Sequence, residues 1–230
     1  TITGSGGKNA ITGSNSNDIL TGGSHFDTFN VSSGTDRVTD LATGDILIVS
    51  YGATANATDI SLFTATNATS NRGTANVTAA DAGSTITLTN SAVGPYNIFG
   101  GSGVDVLTGA NESDYIRGNS NDDILDGAGG SDTLRGGDGN DMFKFDSASI
   151  TGDLTITAGA GDDVFKFNTV NNGSGITIDD YTTTDDTFSF NSAAFEGSSG
   201  HVLVFGHVMG TEFMPDSTIV YNNPNTLDAF

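Results

Sequence analysis

The sequence predicts an all-β fold, a parallel β-roll or β-solenoid in which the chain coils repeatedly around one core. Two observations predict it. The chain repeats with a period of nine residues over two long stretches. Each copy has a turn-forming part rich in Gly and Asp, followed by a short strand-like part that carries one large apolar residue.

The repeat is defined by its sixth and eighth positions. Counted in nines from Gly4, the sixth position is Asn9, Asp18, Asp27, Asp36 and Asp45, and the eighth is Ile11, Leu20, Phe29, Val38 and Leu47. The register is lost after Ile48 and returns at Gly100. From there the sixth position is Asp105, Asp114, Asp123, Asp132 and Asp141, and the eighth is Leu107, Ile116, Leu125, Leu134 and Phe143. A further copy, 158–166, carries Asp163 and Phe165, and a degenerate copy, 91–99, has Tyr96 where Asp belongs.

The composition limits the classes of partner. The net charge is −21, which argues against nucleic acids and anionic membranes and favours bound cations. All but three of the 28 acidic residues are Asp, whose short carboxylate reaches its own backbone in turns. The chain has no Cys, which excludes a disulfide framework, and no run of 18 apolar residues, so we expect no membrane span.

The strongest copies, GGSGVDVLT (100–108) and GGDGNDMFK (136–144), resemble the G-G-x-G-x-D-x-U-x pattern of the RTX family of secreted bacterial proteins. The repeats cover less than half of the chain. Asn119 and Asn121 replace Gly in one copy, and His25 and Glu112 stand at fourth positions that usually carry Gly. The resemblance implies a β-roll, calcium binding, and an extracellular or cell-surface location reached by type I secretion.

The spacing itself favours Ca²⁺. Gly at alternate turn positions permits left-handed backbone, so successive carbonyls can point at one centre. Ca²⁺ takes six to eight oxygens, which two stacked turns can supply and one turn cannot. Because the chain changes sides every nine residues, copy i should stack on copy i+2. The expected pairs are Asn9/Asp27, Asp18/Asp36, Asp27/Asp45, Asp105/Asp123, Asp114/Asp132, Asp123/Asp141 and Asp141/Asp163, which would hold about seven ions.

The predicted metal ligands are the sixth-position aspartates and the turn glycines of the second array. They are Asp18, Asp27, Asp36, Asp45, Gly100, Gly101, Gly103, Asp105, Gly109, Asp114, Gly118, Asp123, Gly127, Gly129, Asp132, Gly136, Gly137, Gly139, Asp141 and Asp163. Without the ion, stacked carboxylates repel each other, so we expect folding and calcium binding to be one event.

Four segments are predicted. They are an N-terminal nonapeptide array (1–48), a β-rich insertion packed on the roll with a degenerate lead-in turn (49–99), a C-terminal calcium-binding roll (100–166), and capping strands with a C-terminal flank (167–230).

Three functions remain open at this point. No H-E-x-x-H or G-x-S-x-G motif is present, so the chain is expected not to be an enzyme. The favoured interpretation is a structural protein of a bacterial surface, such as an S-layer, filament or adhesin segment, with calcium, copies of itself or surface glycans as partners. The alternative is the C-terminal folding and secretion module of a larger secreted enzyme or toxin. An enzyme acting on glycans along a solenoid groove is the third, and no residues specifically support it.

Overall fold

The computed structural model describes residues 1–146, 152–168, 175–182, 184–190, 202–209, 212–221 and 227–229. Their regular structure is entirely β, which confirms the predicted parallel β-solenoid. No helix long and apolar enough to cross a membrane occurs among these residues.

One face of the solenoid is a parallel sheet of ten strands that runs through both arrays. In spatial order its strands are β1 (Ile2–Thr3), β3 (Ile19–Thr21), β5 (Thr35–Val38), β7 (Thr54–Ile60), β10 (Thr74–Ala79), β12 (Asn97–Phe99), β14 (Tyr115–Ser120), β16 (Thr133–Asp138), β18 (Leu154–Ala160) and β20 (Ile176–Ile178).

The opposite face is divided between two parallel sheets. The four-stranded sheet consists of β2 (Ala10–Thr12), β4 (Thr28–Val31), β6 (Ile46–Val49) and β9 (Ser70–Asn71). The seven-stranded sheet consists of β8 (Leu62–Thr64), β11 (Thr85–Thr87), β13 (Val106–Thr108), β15 (Ile124–Asp126), β17 (Met142–Phe145), β19 (Val164–Phe167) and β21 (Thr187–Phe190). A separate antiparallel sheet is formed by β22 (Val202–Met209), β23 (Glu212–Tyr221) and β24 (Leu227–Ala229).

The core is made of columns of buried side chains, one from each strand. Because alternate side chains of a strand face opposite ways, the eighth position of each copy points inward and stacks on its equivalent in the next coil. On the seven-stranded sheet this column becomes aromatic, and the Phe143 and Phe165 rings lie 5.2 Å apart. On the ten-stranded sheet the column is Leu20, Val38, Ala57, Val77, Ile98, Ile116, Leu134, Ile156 and Ile178.

The segment predicted as an insertion packed on the roll instead forms coils of the solenoid itself. Strands β7 and β10 lie between β5 and β12 and pair with them in parallel, so Ala57 and Val77 continue the core column. These coils are longer than the 18 residues of two repeats: Thr54 pairs with Thr74 and Thr85 pairs with Val106. The coil β7–β8–β9 contributes a strand to each of the three sheets, and the next coil, β10–β11, meets the third side through a bridge between Ser70 and Val93. The nine-residue period therefore disappears here although the coiling continues.

The four-stranded sheet ends and the seven-stranded sheet begins within these three-sided coils. A buried polar cluster fills the corner between them. The hydroxyl groups of Ser91 and Tyr96 share a hydrogen bond of 2.6 Å, and Ser91 Oγ also lies 3.1 Å from the carbonyl oxygen of Thr69. Asn71 Nδ2 donates to the Pro95 carbonyl. These bonds satisfy polar groups that no Asp turn covers.

Strands β20 and β21 continue both faces in the same parallel register within the segment predicted to cap the roll. Tyr181 and Phe188 pack against each other with ring centroids 4.7 Å apart, and both contact the Phe165 ring. Aromatic side chains thus cover the core column at this end of the described coils. Of the predicted cap and flank, residues 169–174, 183, 191–201, 210–211, 222–226 and 230 lie outside the described residues.

Candidate calcium sites in the turn stacks

The turns that connect the faces stack along both edges of the solenoid, and each sixth-position Asp occupies the same place in its turn. The backbone N–H of this residue donates to Oδ1 of the corresponding Asp one coil further along. The bond measures 2.7 Å from Asp105 to Asp123, 2.8 Å from Asp123 to Asp141 and 2.8 Å from Asp141 to Asp163. One carboxylate oxygen of each acceptor is therefore used to hold two coils together.

The same bond joins the other pairs expected from the sequence. It links Asn9 to Asp27, Asp18 to Asp36, Asp27 to Asp45 and Asp114 to Asp132, with lengths of 2.7–2.9 Å. The structure thus brings together copies i and i+2, as the alternation of sides predicts.

The other carboxylate oxygen of most ladder aspartates is the atom that a cation could bind. In seven of the described aspartates one oxygen is buried and has no hydrogen-bond partner: Asp27, Asp36, Asp105, Asp123, Asp132, Asp141 and Asp163. A buried anionic oxygen without a partner is costly, and a bound cation removes that cost.

The first-position glycines show where these oxygens point. A Cβ atom added to Gly136 would lie 2.2 Å from Asp141 Oδ2 and 2.3 Å from the Ala158 carbonyl oxygen. Added to Gly118, it would lie 2.2 Å from Asp123 Oδ2 and 2.8 Å from the Gly136 carbonyl oxygen. At these glycines a carboxylate oxygen and the carbonyl oxygen of the next coil converge on the space that a Cβ atom would fill. We call this arrangement the carbonyl cradle. Gly100, Gly109 and Gly127 occupy the same position.

The best-formed sites lie in the turns 118–123, 136–141 and 158–163, which we call the main turn stack. Its second and fourth residues have left-handed backbone: Asn119 and Asn121 in the first turn, Gly137 and Gly139 in the second, and Gly159 and Gly161 in the third. Alternating left-handed residues turn successive carbonyls towards one side. A Cβ on Gly137 would lie 2.0 Å from the Asn119 carbonyl oxygen, which shows how closely these turns stack.

This arrangement fits Ca²⁺ better than a metal held by side chains. No group of three His, Cys, Asp or Glu side chains capable of holding an ion occurs in the described part of the chain. Each site would therefore take most of its oxygens from turn carbonyls and the rest from one or two carboxylates. A hard cation with an irregular oxygen shell suits that donor set. When bound, the ion supplies positive charge that holds stacked turns together.

Three predicted ligands differ from this pattern. Both oxygens of Asp45 accept backbone N–H groups, from Asp27 and Ala42, and both oxygens of Asp114 do so from Tyr96 and Ala110. Asp18 is partly exposed and accepts from the backbone and hydroxyl of Ser14, which holds the pKa of Asp18 below its usual value. Asp45 and Asp114 therefore have no carboxylate oxygen left without a hydrogen-bond partner.

Two residues of the site were not identified from the sequence. Asp186 accepts from the Asp163 backbone N–H at 3.1 Å and so adds a further step to the Asp ladder. Its spacing of 23 residues hides it from a count in nines. In the turn 127–132 the left-handed fourth position belongs to Gly130, with φ of 109°. The neighbouring Gly129, which the sequence singled out, donates its N–H to the Ala110 carbonyl.

Burial raises the pKa of the site carboxyls. Burial, together with the charge of nearby aspartates, raises the pKa of Asp123 and Asp141 to about 7 and that of Asp132 to about 8. The pKa of Asp114 is also about 7, again chiefly because the group is buried. In the calcium-free chain these groups therefore oppose folding at neutral pH, where the unfolded carboxyl is fully ionised.

The carbonyl cradle can be tested by adding one methyl group. Gly136→Ala should push Asp141 and the Ala158 carbonyl away from their common centre without removing a charge, and calorimetry should show the loss of at least one calcium ion. Gly6→Ala is the matched control, because a Cβ on Gly6 meets nothing within 4 Å. Equal calcium binding by both variants would contradict the cradle.

The raised pKa values predict an unusual pH dependence for the calcium-free protein. Because the folded state holds protons that the unfolded state has already lost, its stability should rise as pH falls from 8 towards 5. Far-UV circular dichroism of metal-free protein should show more β structure at pH 6 than at pH 8. Asp132→Asn should weaken this dependence. Less structure at pH 6 than at pH 8 would contradict it.

With calcium present the pH dependence of stability has the opposite sign, because protons compete with the ion for the same carboxylates. The calcium concentration needed for folding should therefore increase as the pH is lowered through 7.

Sequence comparison agrees with this geometry. A family model described as RTX calcium-binding nonapeptide repeat (4 copies) matches residues 1–38, 99–134 and 108–143. No curated protein sequence matches the chain. The matched segments contain the ladder up to Asp36 in the first array and from Asp105 to Asp141 in the second, and RTX nonapeptide repeats bind calcium. The chain therefore carries RTX calcium-binding nonapeptide repeats in both arrays, over less than half of its length.

Proposed function

We propose that this chain is a non-catalytic, calcium-stabilised structural protein of a bacterial surface, such as a segment of an S-layer, filament or adhesin. The continuous ten-stranded sheet carries this proposal. It runs through both arrays and the coils between them, so the described solenoid is one rod with one core. A rod of this kind gains rigidity by stacking, and calcium would set that rigidity outside the cell, where the ion is abundant.

The use of the buried carboxylates supports a structural rather than a catalytic role. Asp123 and Asp141 each accept the backbone N–H of a stacked turn, and their remaining oxygens face carbonyls of the coil rather than an open cleft. Groups arranged in this way join coils to one another. We propose that about seven ions bind along both edges, which would offset about two thirds of the net charge of −21.

The ladder predicts unequal losses of calcium from two variants. Asp123 is bonded to Asp105 on one side and Asp141 on the other, so Asp123→Ala should remove about two ions. Asp114 is bonded to Asp132, whose second oxygen lacks a partner, on one side and to Tyr96, which has no carboxylate, on the other, so Asp114→Ala should disturb one site and remove about one ion. Isothermal calorimetry gives both numbers, and equal losses would show that the proposed sharing is wrong.

The alternative is a C-terminal folding and secretion module of a larger secreted enzyme or toxin, exported by the type I route. The parallel coils followed by the antiparallel sheet β22–β24 favour it, since this is a change of architecture near the end of the chain as given. Under this proposal calcium would drive folding after export, and no assembly would be required.

Assembly separates the two proposals. A structural surface protein should form filaments or sheets, visible by negative-stain electron microscopy, when millimolar calcium is added, and a chelator should reverse the change. Magnesium is the control, because it requires a smaller and more regular oxygen shell and should substitute poorly. Calcium-loaded protein that folds but remains monomeric at every concentration would overturn the structural role and favour the module.

A further inference from the structure

The outward face of the ten-stranded sheet carries a group of side chains that no calcium site uses. Phe99, Tyr115, Arg117 and Arg135 project from the neighbouring strands β12, β14 and β16, with Asn97 beside them. Phe99, Arg117 and Arg135 are successive register partners, as are Asn97 and Tyr115. We call these five residues the arginine platform. The two arginines are exposed, and the other three are half-buried.

The two arginines carry like charges and repel each other in these positions. Register partners on adjacent parallel strands lie about 4.8 Å apart, and like charges in such positions destabilise a sheet. Neither guanidinium forms an ion pair with a carboxylate of the described residues, although 28 acidic residues were available to supply one. By contrast, Arg37 on the same sheet lies 3.5 Å from Asp59. An anion from outside the chain would remove the repulsion.

The rest of the platform provides apolar rings and amide groups. The Phe99 and Tyr115 ring centroids lie 6.0 Å apart, and the Arg135 guanidinium carbon lies 6.0 Å from the Tyr115 ring. Asn76 Nδ2 donates to Asn56 Oδ1 at 2.7 Å, and Asn97 Nδ2 donates to Asn76 Oδ1 at 2.8 Å. This row of amides ends at Asn97, whose Oδ1 accepts no hydrogen bond from the described residues.

We propose that the arginine platform binds a carboxylate-bearing polysaccharide. The paired guanidinium groups would receive a uronate carboxylate, which matches the donor geometry of arginine. The aromatic rings offer apolar faces to the C–H side of a sugar ring, and the amide row offers donors and acceptors to its hydroxyl groups. Because the platform and the amide row run from strand to strand, the polysaccharide lies along the solenoid axis. This binding depends neither on assembly nor on the number of calcium ions.

The test uses short hyaluronan oligosaccharides, which carry a uronate in every disaccharide, and neutral dextran oligosaccharides as the control ligand. Binding is followed by calorimetry at physiological ionic strength with the calcium-loaded chain, so that bound ions and salt reduce the repulsion between the net charge of −21 and a polyanion. The double variant Arg117→Gln, Arg135→Gln should bind hyaluronan about tenfold more weakly, since two exposed charge pairs are lost. Tyr115→Ala should weaken binding several-fold without a change in charge. Dextran should bind no variant.

The matched control is Arg37→Gln, Arg72→Gln, which removes the same charge outside the platform. Its affinity for hyaluronan should stay within about twofold of the unchanged chain. Far-UV circular dichroism and calcium stoichiometry should be the same for all variants. Three results would overturn the proposal: no binding of hyaluronan, equal weakening by the control, or platform substitutions that abolish self-association in sedimentation instead. The last would identify a second copy of the chain as the occupant.

Discussion

The structure depends on one hydrogen bond repeated from coil to coil, in which a backbone N–H donates to one oxygen of an aspartate in the next turn. The bond from Asp123 to Asp141 is typical. It fixes how two turns stack, and it also determines what the second oxygen can reach. That oxygen is held inside the turn, next to carbonyls and away from water. Stacking of the coils and creation of a cation site are thus consequences of the same side chain.

This double use is the reason to expect that the chain folds together with its ion. A column of buried carboxylates with raised pKa values opposes folding at neutral pH unless protons or cations neutralise it. The apolar columns stabilise the coil, but each coil contributes only a few buried side chains to them. Calcium would therefore change the electrostatic contribution of these carboxylates to the free energy of folding. The contribution of the apolar core would stay nearly constant. We therefore expect folding to respond to the difference between an environment poor in calcium and one rich in it.

Where the Asp ladder is interrupted, other groups maintain the coil. In the three-sided coils the hydrogen bonds of Ser91, Tyr96 and Asn71 satisfy the buried polar groups at the corner between two sheets. The Tyr96 N–H still donates to Asp114. The Asp114 turn of the second array therefore stacks on a turn that has Tyr96 in place of a ladder aspartate. Ion-binding groups are concentrated at the edges of the solenoid, which leaves its faces available for other contacts. The arginine platform lies on such a face.

The sequence by itself determined the β-solenoid, the i to i+2 stacking and the aspartates of the ladder, because all of these follow from a period of nine residues. Only the tertiary structure decided the course of residues 49–99, where coils of more than 18 residues conceal the period while Ala57 and Val77 continue the core. The same reason hid Asp186, 23 residues after Asp163. Arg117 and Arg135 are 18 residues apart in the sequence, yet only the strand pairing shows them as unpaired neighbours on one face. Local patterns record what repeats at fixed spacing, whereas contacts between coils of unequal length are set by packing.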